Sequence, residues 1–249
     1  MTWQAGTAKA LKRSLDIYYR DRARTRRMDE LNAQFVKAGS LAFDIGAHVG
    51  DRTASYRRLG AKVVTVEPQR PMFRALRMFF GQDANVHLHH VAIGAEPGQT
   101  IFYVNSANPT TSTAAKALVE AAPAAMAWAD QVWDAEMTVE VMTLDQLIAK
   151  HGRPDFVKID VEGFEADVLK GLSHPLPAIS FEFTTLQRDV AIDALQILDC
   201  LGQYKFTYSL GESHVMAQDH WGSAAEMIDV VSSLQVEANS GDIYARLDG

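Results

Sequence analysis

Two stretches of this sequence set acidic residues where short apolar runs end. The first is Phe43-Asp44-Ile45-Gly46-Ala47-His48-Val49-Gly50. Gly46 lets the backbone come close to a ligand, because no Cβ intrudes. Gly50 lets a following helix pack tightly, and the free N–H groups of that helix face a polar ligand. The spacing is Asp-x-Gly-x-x-x-Gly, with His48 where a dinucleotide fingerprint needs its second glycine. A carboxylate at Asp44 would repel a pyrophosphate and attract the ammonium of a methionine moiety. That charge argument favours S-adenosylmethionine over NAD. Glu67, in Val66-Glu67-Pro68, follows the glycine turn by about 20 residues, where an acid typically holds ribose hydroxyls. A carboxylate suits this task because it accepts from both hydroxyls at once. His90 and Ala92, in His89-His90-Val91-Ala92-Ile93-Gly94, are expected to line the adenine pocket. The expected cofactor set is therefore Asp44, Gly46, Ala47, His48, Gly50, Glu67, Pro68, His90 and Ala92, joined by Asp160.

The second stretch is Asp155-Phe156-Val157-Lys158-Ile159-Asp160-Val161-Glu162-Gly163-Phe164-Glu165. Asp160 stands at the carboxyl end of an apolar run, with Glu162 and Glu165 close behind. Packed acids are costly unless they serve a cation, a metal or a proton transfer. Methyl transfer to oxygen needs an acceptor hydroxyl held in line and a group to take its proton. Asp160 or Glu162 could position the hydroxyl or act as base. His48 is a third candidate, since it sits on the glycine loop and titrates near neutral pH. The alternative for Glu162, and the leading reading for Glu165, is a helix N-terminal cap, and Lys158 reads as the cation of a structural ion pair. Glu182, in Phe181-Glu182-Phe183-Thr184, either meets substrate or points to solvent. Asp160 and Glu162 could share a divalent metal, but no third ligand is legible, so no metal is assigned.

These residues need a scaffold that brings strand ends together. From Leu41 short apolar runs alternate with helical stretches. Strands are expected at Leu41–Ile45, Lys62–Val66, Val86–His90, Ile101–Val104, Thr138–Met142, Phe156–Ile159, Ala178–Phe183, Phe206–Leu210 and Ile243–Leu247. Helices fill most gaps, at Thr53–Leu59, Pro71–Phe80, Leu144–Lys150, Glu165–Leu172 and Val190–Leu201. The alternation implies an α/β, Rossmann-like fold, with a mainly parallel seven-stranded sheet and helices on both faces. Ligands of such sheets bind at the carboxyl ends of strands near the switch in strand order. Residues 106–137 break the rhythm with an alanine-rich stretch, Ala114–Ala129. It is expected to form a helical insertion, as surface decoration or as a lid over substrate. Residues 1–38 read as a basic helical extension, leaving 39–249 as the methyltransferase domain.

Composition narrows the class. Hydrophobic residues make up 47% and charged residues 22%, which suits a soluble globular chain. No run approaches the roughly 20 apolar residues of a membrane span. Met1–Ala10 lacks an apolar core before a cleavage site, so no signal peptide is expected and the cytoplasm is the default. The one cysteine, Cys200, is expected as a small buried hydrophobe on a helix. Charge is uneven. Eight cations between Lys9 and Arg27 face only Asp16 and Asp21, so this segment carries +6 and the remainder −13 of a net −7. Leu11, Leu15, Tyr18 and Tyr19 recur there at helical spacing. The helix is expected to dock through that face. Residues 9–27 are also candidates for peripheral contact with an anionic membrane surface or an acidic substrate. No nucleic-acid partner is expected, because the rest of the chain is acidic. Assembly into a homo-oligomer is left open.

At these motifs the sequence resembles the FkbM family of S-adenosylmethionine-dependent methyltransferases, over roughly Leu41 to Leu210. The likeness rests on Asp44 to Gly50, Val66-Glu67-Pro68, Ala92-Ile93-Gly94, Met142-Thr143-Leu144-Asp145 and above all Val157 to Glu165. It implies O-methylation of a hydroxyl on a sugar-containing or secondary-metabolite acceptor, with Gly46 and Glu67 on the cofactor and Asp160 and Glu162 facing the active site. Two positions depart from the pattern. His48 replaces the usual asparagine, and the alanine-rich stretch falls where members carry Ser/Thr-rich substrate contacts. Ser112 and Thr113, with Thr111, are the expected remnant of those contacts. Two other readings compete: a nicotinamide oxidoreductase on the same fold, and a non-catalytic binding module that uses the basic N-terminal helix.

Overall fold

The computed structural model describes residues 3–125 and 128–248. Two residues of the alanine-rich stretch, 126 and 127, thus lie outside the described residues. A seven-stranded sheet forms the centre. Its strands, with those of a smaller sheet, are β1 (Leu41–Ile45), β2 (Lys62–Val66), β3 (Val86–His89), β4 (Ala92–Ile93), β5 (Gly98–Val104), β6 (Ala135–Met142), β7 (Phe156–Ile159), β8 (Ala178–Thr184), β9 (Tyr204–Leu210) and β10 (Ser240–Leu247). The large sheet runs in the order β3-β2-β1-β7-β8-β10-β9. Neighbours are parallel from β3 to β8, and β10 runs antiparallel to both β8 and β9. β1, β7 and β8 read as near-continuous apolar runs because helices cover both faces of this sheet.

The chain builds outward from β1 to β3 on one side and resumes at β7 on the other. The strand order therefore reverses between β1 and β7, and a crevice opens beyond their carboxyl ends. The register pairs Asp44 with Lys158 and Ile45 with Ile159. The Asp160 N–H donates to the Ile45 carbonyl at 2.9 Å. The two acidic stretches of the sequence thus lie side by side.

The helices are α1 (Trp3–Arg20), α2 (Arg22–Asn32), α3 (Asp51–Arg58), α4 (Arg70–Phe80), α5 (Lys116–Ala121), α6 (Leu144–His151), α7 (Glu165–Lys170), α8 (Arg188–Leu201) and α9 (Ala224–Ser233). Pro71 falls in the first turn of α4, where a missing N–H costs little. Thr143 and Gln146 close a capping box on α6. On one face of the sheet, Leu195 and Leu198 of α8 pack with Val157, Ile179 and Phe181. On the other, Leu31 of α2 and Val36 join Tyr56, Phe156 and Tyr244. Phe35 stacks on Phe156 and Tyr244 at centroid distances of 4.9 and 5.4 Å. α2 and the segment that follows it therefore share the core of the sheet.

Several details differ from the sequence expectations. β5 and β6 start earlier than expected, and with β4 they form a separate three-stranded sheet. β5 begins at Gly98 because its polar residues Gln99 and Thr100 are held by pairing with β6, which carries no apolar signature. The described part of the alanine-rich stretch holds the short α5 and a 3-10 turn, Ala122–Ala124, where Pro123 ends the helix. Cys200 is exposed: it lies on the outer side of α8, whose inner face is set by Ala191, Ala194, Leu195 and Leu198. Among the described residues no helix is long and apolar enough to cross a membrane.

Candidate active site

A cleft of about 900 Å³, counting its open mouth, lies over the carboxyl ends of β1, β2, β7 and β8. Its floor holds both of the acids that sequence spacing singled out first. Asp44 is 1% exposed and Glu67 2%, yet both border the cleft. The Thr53 hydroxyl donates to Asp44 at 2.5 Å and is itself 2.9 Å from Thr65. Burial pushes the Asp44 carboxyl up to about 6, against the Thr53 hydrogen bond. Glu67 accepts the His48 N–H at 2.8 Å and the Gln69 N–H at 2.6 Å, one on each oxygen. It thereby ties the glycine loop to the start of α4. Burial raises Glu67 to about 8 despite those donors. Ala47, Pro68 and Ala92 also line the cleft.

The glycines work differently from one another. Gly46 has φ +84°, and a Cβ there would lie 1.8 Å from the Asp160 carbonyl oxygen. Close approach of the two acidic loops, more than space for a ligand, demands this glycine. Gly50 has φ +80°, and its Cβ would strike Leu76 and Phe80 of α4 at 2.6 and 2.7 Å. It seats α3 against α4 and does not border the cleft, which corrects its expected place in the cofactor set.

His48 lines the cleft in a left-handed conformation, φ 48°. Its Nε2 is 2.9 Å from the Ser14 hydroxyl on α1, and its Nδ1 is buried without a partner. Burial holds the ring down to about 4. The imidazole is therefore neutral at physiological pH and a weak base, so its expected role as proton acceptor gives way to a polar wall of the site. Tyr18 meets His48 edge-on at 5.9 Å, and the Tyr19 hydroxyl donates to the Val49 carbonyl at 2.9 Å. Arg24 of α2 is held by Asp51 at 2.9 Å and Glu212 at 2.5 Å. These contacts dock α1 and α2 on the cofactor loop.

Asp160, Glu162 and Glu182 gather at the other end of the cleft. One carboxylate oxygen from each lies within 4.8 Å of the others. Glu182 thus supplies a third carboxylate beside Asp160 and Glu162, and the three oxygens could hold a divalent cation or share a proton. Burial, then the neighbouring Asp160 charge, pushes Glu162 and Glu182 well above the carboxylate range. One Glu182 oxygen is buried without a hydrogen-bond partner. Beneath them Lys158, 2% exposed, reaches Asp242 at 2.6 Å and Asp160 at 3.4 Å. Arg52 reaches the same two acids at 3.3 and 3.6 Å. The buried Lys158 and the half-buried Arg52 thus compensate the acid cluster from below. Glu165 turns back to accept the N–H groups of Val161 and Gly163, which makes it a structural cap for its own loop.

Two further expected residues are not where the sequence pointed. His90 is exposed and stacks on Phe73 at 4.7 Å; it lies just past the end of β3 and turns outward, and Val91, Ala92 and Ile93 line the cleft instead. Thr113 is fully buried and donates to the Glu162 carbonyl at 2.7 Å. It braces the Asp160–Glu162 loop from behind, while Ser112 borders the cleft. Residues the sequence reading passed over are Arg52, Asp242 and Glu212. Asp242 had a signal: a lone acid in a buried strand must face a cation, and Lys158 is the buried cation nearby.

Comparison with known proteins agrees with this geometry. The model of the FkbM methyltransferase domain matches residues 44–208. No curated protein matches in sequence. Among solved structures, the chain is similar to a TehB-like SAM-dependent methyltransferase from Corynebacterium glutamicum, with 9% identity, 95% of this chain and 94% of that one covered, and a TM-score of 0.51. It also resembles an O-methyltransferase from Bacillus cereus in complex with SAH, with 12% identity, 99% and 90% coverage and a TM-score of 0.46. At 9% identity the likeness to the TehB-like enzyme speaks for the fold alone. The family match sets aside the nicotinamide and binding-module readings. The chain belongs to the FkbM methyltransferase family and is a methyltransferase dependent on S-adenosylmethionine.

Proposed function

We propose that this enzyme methylates a hydroxyl group on a sugar-containing or secondary-metabolite acceptor. The observation that carries the reading is the cluster of Asp160, Glu162 and Glu182 at the β7 and β8 end of the cleft. Glu67, at the β2 end, is the natural partner of the ribose hydroxyls. Asp44 and Asp160 lie between, where negative charge suits the amino group and the positive sulfur. S-adenosylmethionine supplies an electrophilic methyl group on that sulfur. The acceptor oxygen forms a bond to the methyl carbon, the carbon–sulfur bond breaks, and its electron pair stays with sulfur. The hydroxyl proton must then go to a base.

Three carboxylates this close cannot all ionise. Asp160 is the one paired with Lys158 and Arg52, so its role is to carry charge and orient the acceptor. Glu162 and Glu182 share the remaining proton load, and the ionised one takes the acceptor's proton. Ser112 and Thr110 offer hydroxyls along the same wall, which suits a polar acceptor. The test is mass spectrometry of host glycans and secondary metabolites with and without this enzyme. A hydroxyl product heavier by one methyl-for-hydrogen exchange only when the enzyme is present supports the reading. Methylation found only on nitrogen, carbon or carboxyl groups would defeat it.

A further inference from the structure

Two helices that carry exposed basic residues, α1 and α4, meet at an apolar seam. Tyr19 of α1 and Phe79 of α4 have ring centroids 6.2 Å apart, and they remain 39% and 43% exposed. Met78, beside Phe79, is 74% exposed, and Ile17 on the flank of α1 is 50% exposed. Both helices also expose cations. Lys9, Lys12, Arg13 and Arg20 of α1 are exposed, as are Arg70, Arg74 and Arg77 of α4. α4 carries no acid. The acid between Lys9 and Arg20, Asp16, is already held by Lys12 at 2.6 Å and Arg20 at 2.9 Å.

Methionine, phenylalanine and tyrosine side chains left this open are costly in water and favourable at the boundary of headgroups and acyl chains. Arginine and lysine on the same helices meet lipid phosphates, while their stems lie along the apolar surface. The remainder of the molecule is acidic, so a planar anionic surface would attract this face and repel the others. A nucleic acid, which wraps and needs a long basic track, would meet that acidity sooner. We propose that the α1/α4 face docks the enzyme on an anionic lipid bilayer. This inference is independent of which acceptor is methylated. α1 also carries Ser14 and Tyr18 over the cofactor loop, so the docked face lies directly outside the active-site cleft.

The test uses the full chain with vesicles of phosphatidylcholine alone, or with about 30% phosphatidylglycerol, at roughly 0.1 M salt. Co-sedimentation is expected only with phosphatidylglycerol. Each basic residue near the surface raises partitioning about fivefold, so the Arg74→Glu/Arg77→Glu double variant should bind at least about 25-fold more weakly. Met78→Glu should weaken vesicle binding several-fold. Both variants lie outside the cleft, and unchanged titration with S-adenosylhomocysteine shows that they fold. The proposal fails if the native chain does not distinguish the two vesicles. It fails equally if both variants sediment like the native chain. It also fails if Met78→Glu is silent while the arginine pair lowers binding to vesicles and to heparin alike, since that is a plain polyanion site.

Discussion

Glu67 gives the sharpest test of how the cofactor is held. Its carboxyl lies at about 8 in the folded protein, against 4.5 unperturbed. Between those values the folded state keeps a proton that the unfolded chain has released. Stability therefore falls as pH rises through this window, by roughly 3 kcal/mol between pH 4.5 and about 7 from this residue alone. Ribose hydroxyls donating to Glu67 would favour its ionised form, so cofactor binding should expel the proton. Affinity should then rise with pH, up to about tenfold per unit below about pH 8. In Glu67→Gln this slope should vanish. Loss of hydrogen bonds to a charged group, about 1.5–3 kcal/mol, should weaken binding by roughly 10- to 150-fold. The variant should lose less stability than the native chain as pH rises, because the buried ionisation is gone. Isothermal titration with S-adenosylhomocysteine across this range, in buffers of differing ionisation enthalpy, reads both the affinity and the proton released. An unchanged affinity and an unchanged pH slope in Glu67→Gln would refute the reasoning.

Other perturbations probe the supports of the site. Arg24→Ala leaves Asp51, buried beside it, without its cation; chemical denaturation should show a loss of about 3–5 kcal/mol. Gly46→Ala places a methyl against the Asp160 carbonyl at a positive φ. It should destabilise the fold by more than about 2 kcal/mol and abolish cofactor binding, as read by thermal melting with and without S-adenosylhomocysteine. Glu182→Gln keeps the shape of the acid cluster and removes one proton site. It should lower kcat at least about tenfold with little change in cofactor affinity, measured by methyl transfer once an acceptor is known.

Much of this site is legible in sequence because strand geometry is local. Asp44 and Glu67 end consecutive apolar runs, so a parallel sheet must bring them to one edge. Asp160 follows the same rule from the far side of the strand-order switch. Glu182 shares it too, although its rotamer and its distance to Glu162 needed the fold. What sequence could not supply is how side chains face within loops. His90 was one residue out of phase with the cleft. Thr113 sits among hydroxyls that look alike in sequence, yet it faces backward to brace Glu162. His48 has the spacing of a catalytic base, but burial under α1 removes its basicity. That docking depends on contacts such as Ser14 with His48 and Arg24 with Asp51, between residues 34 and 27 positions apart. No periodicity announces such pairs.

The most direct measurement is a crystal structure of the enzyme grown with S-adenosylhomocysteine. The ribose oxygens should rest against Glu67, the adenine beside Ala92, and the sulfur near Asp160, pointing toward Glu162 and Glu182. A ligand bound elsewhere, or seated with its ribose away from Glu67, would contradict the arrangement described above.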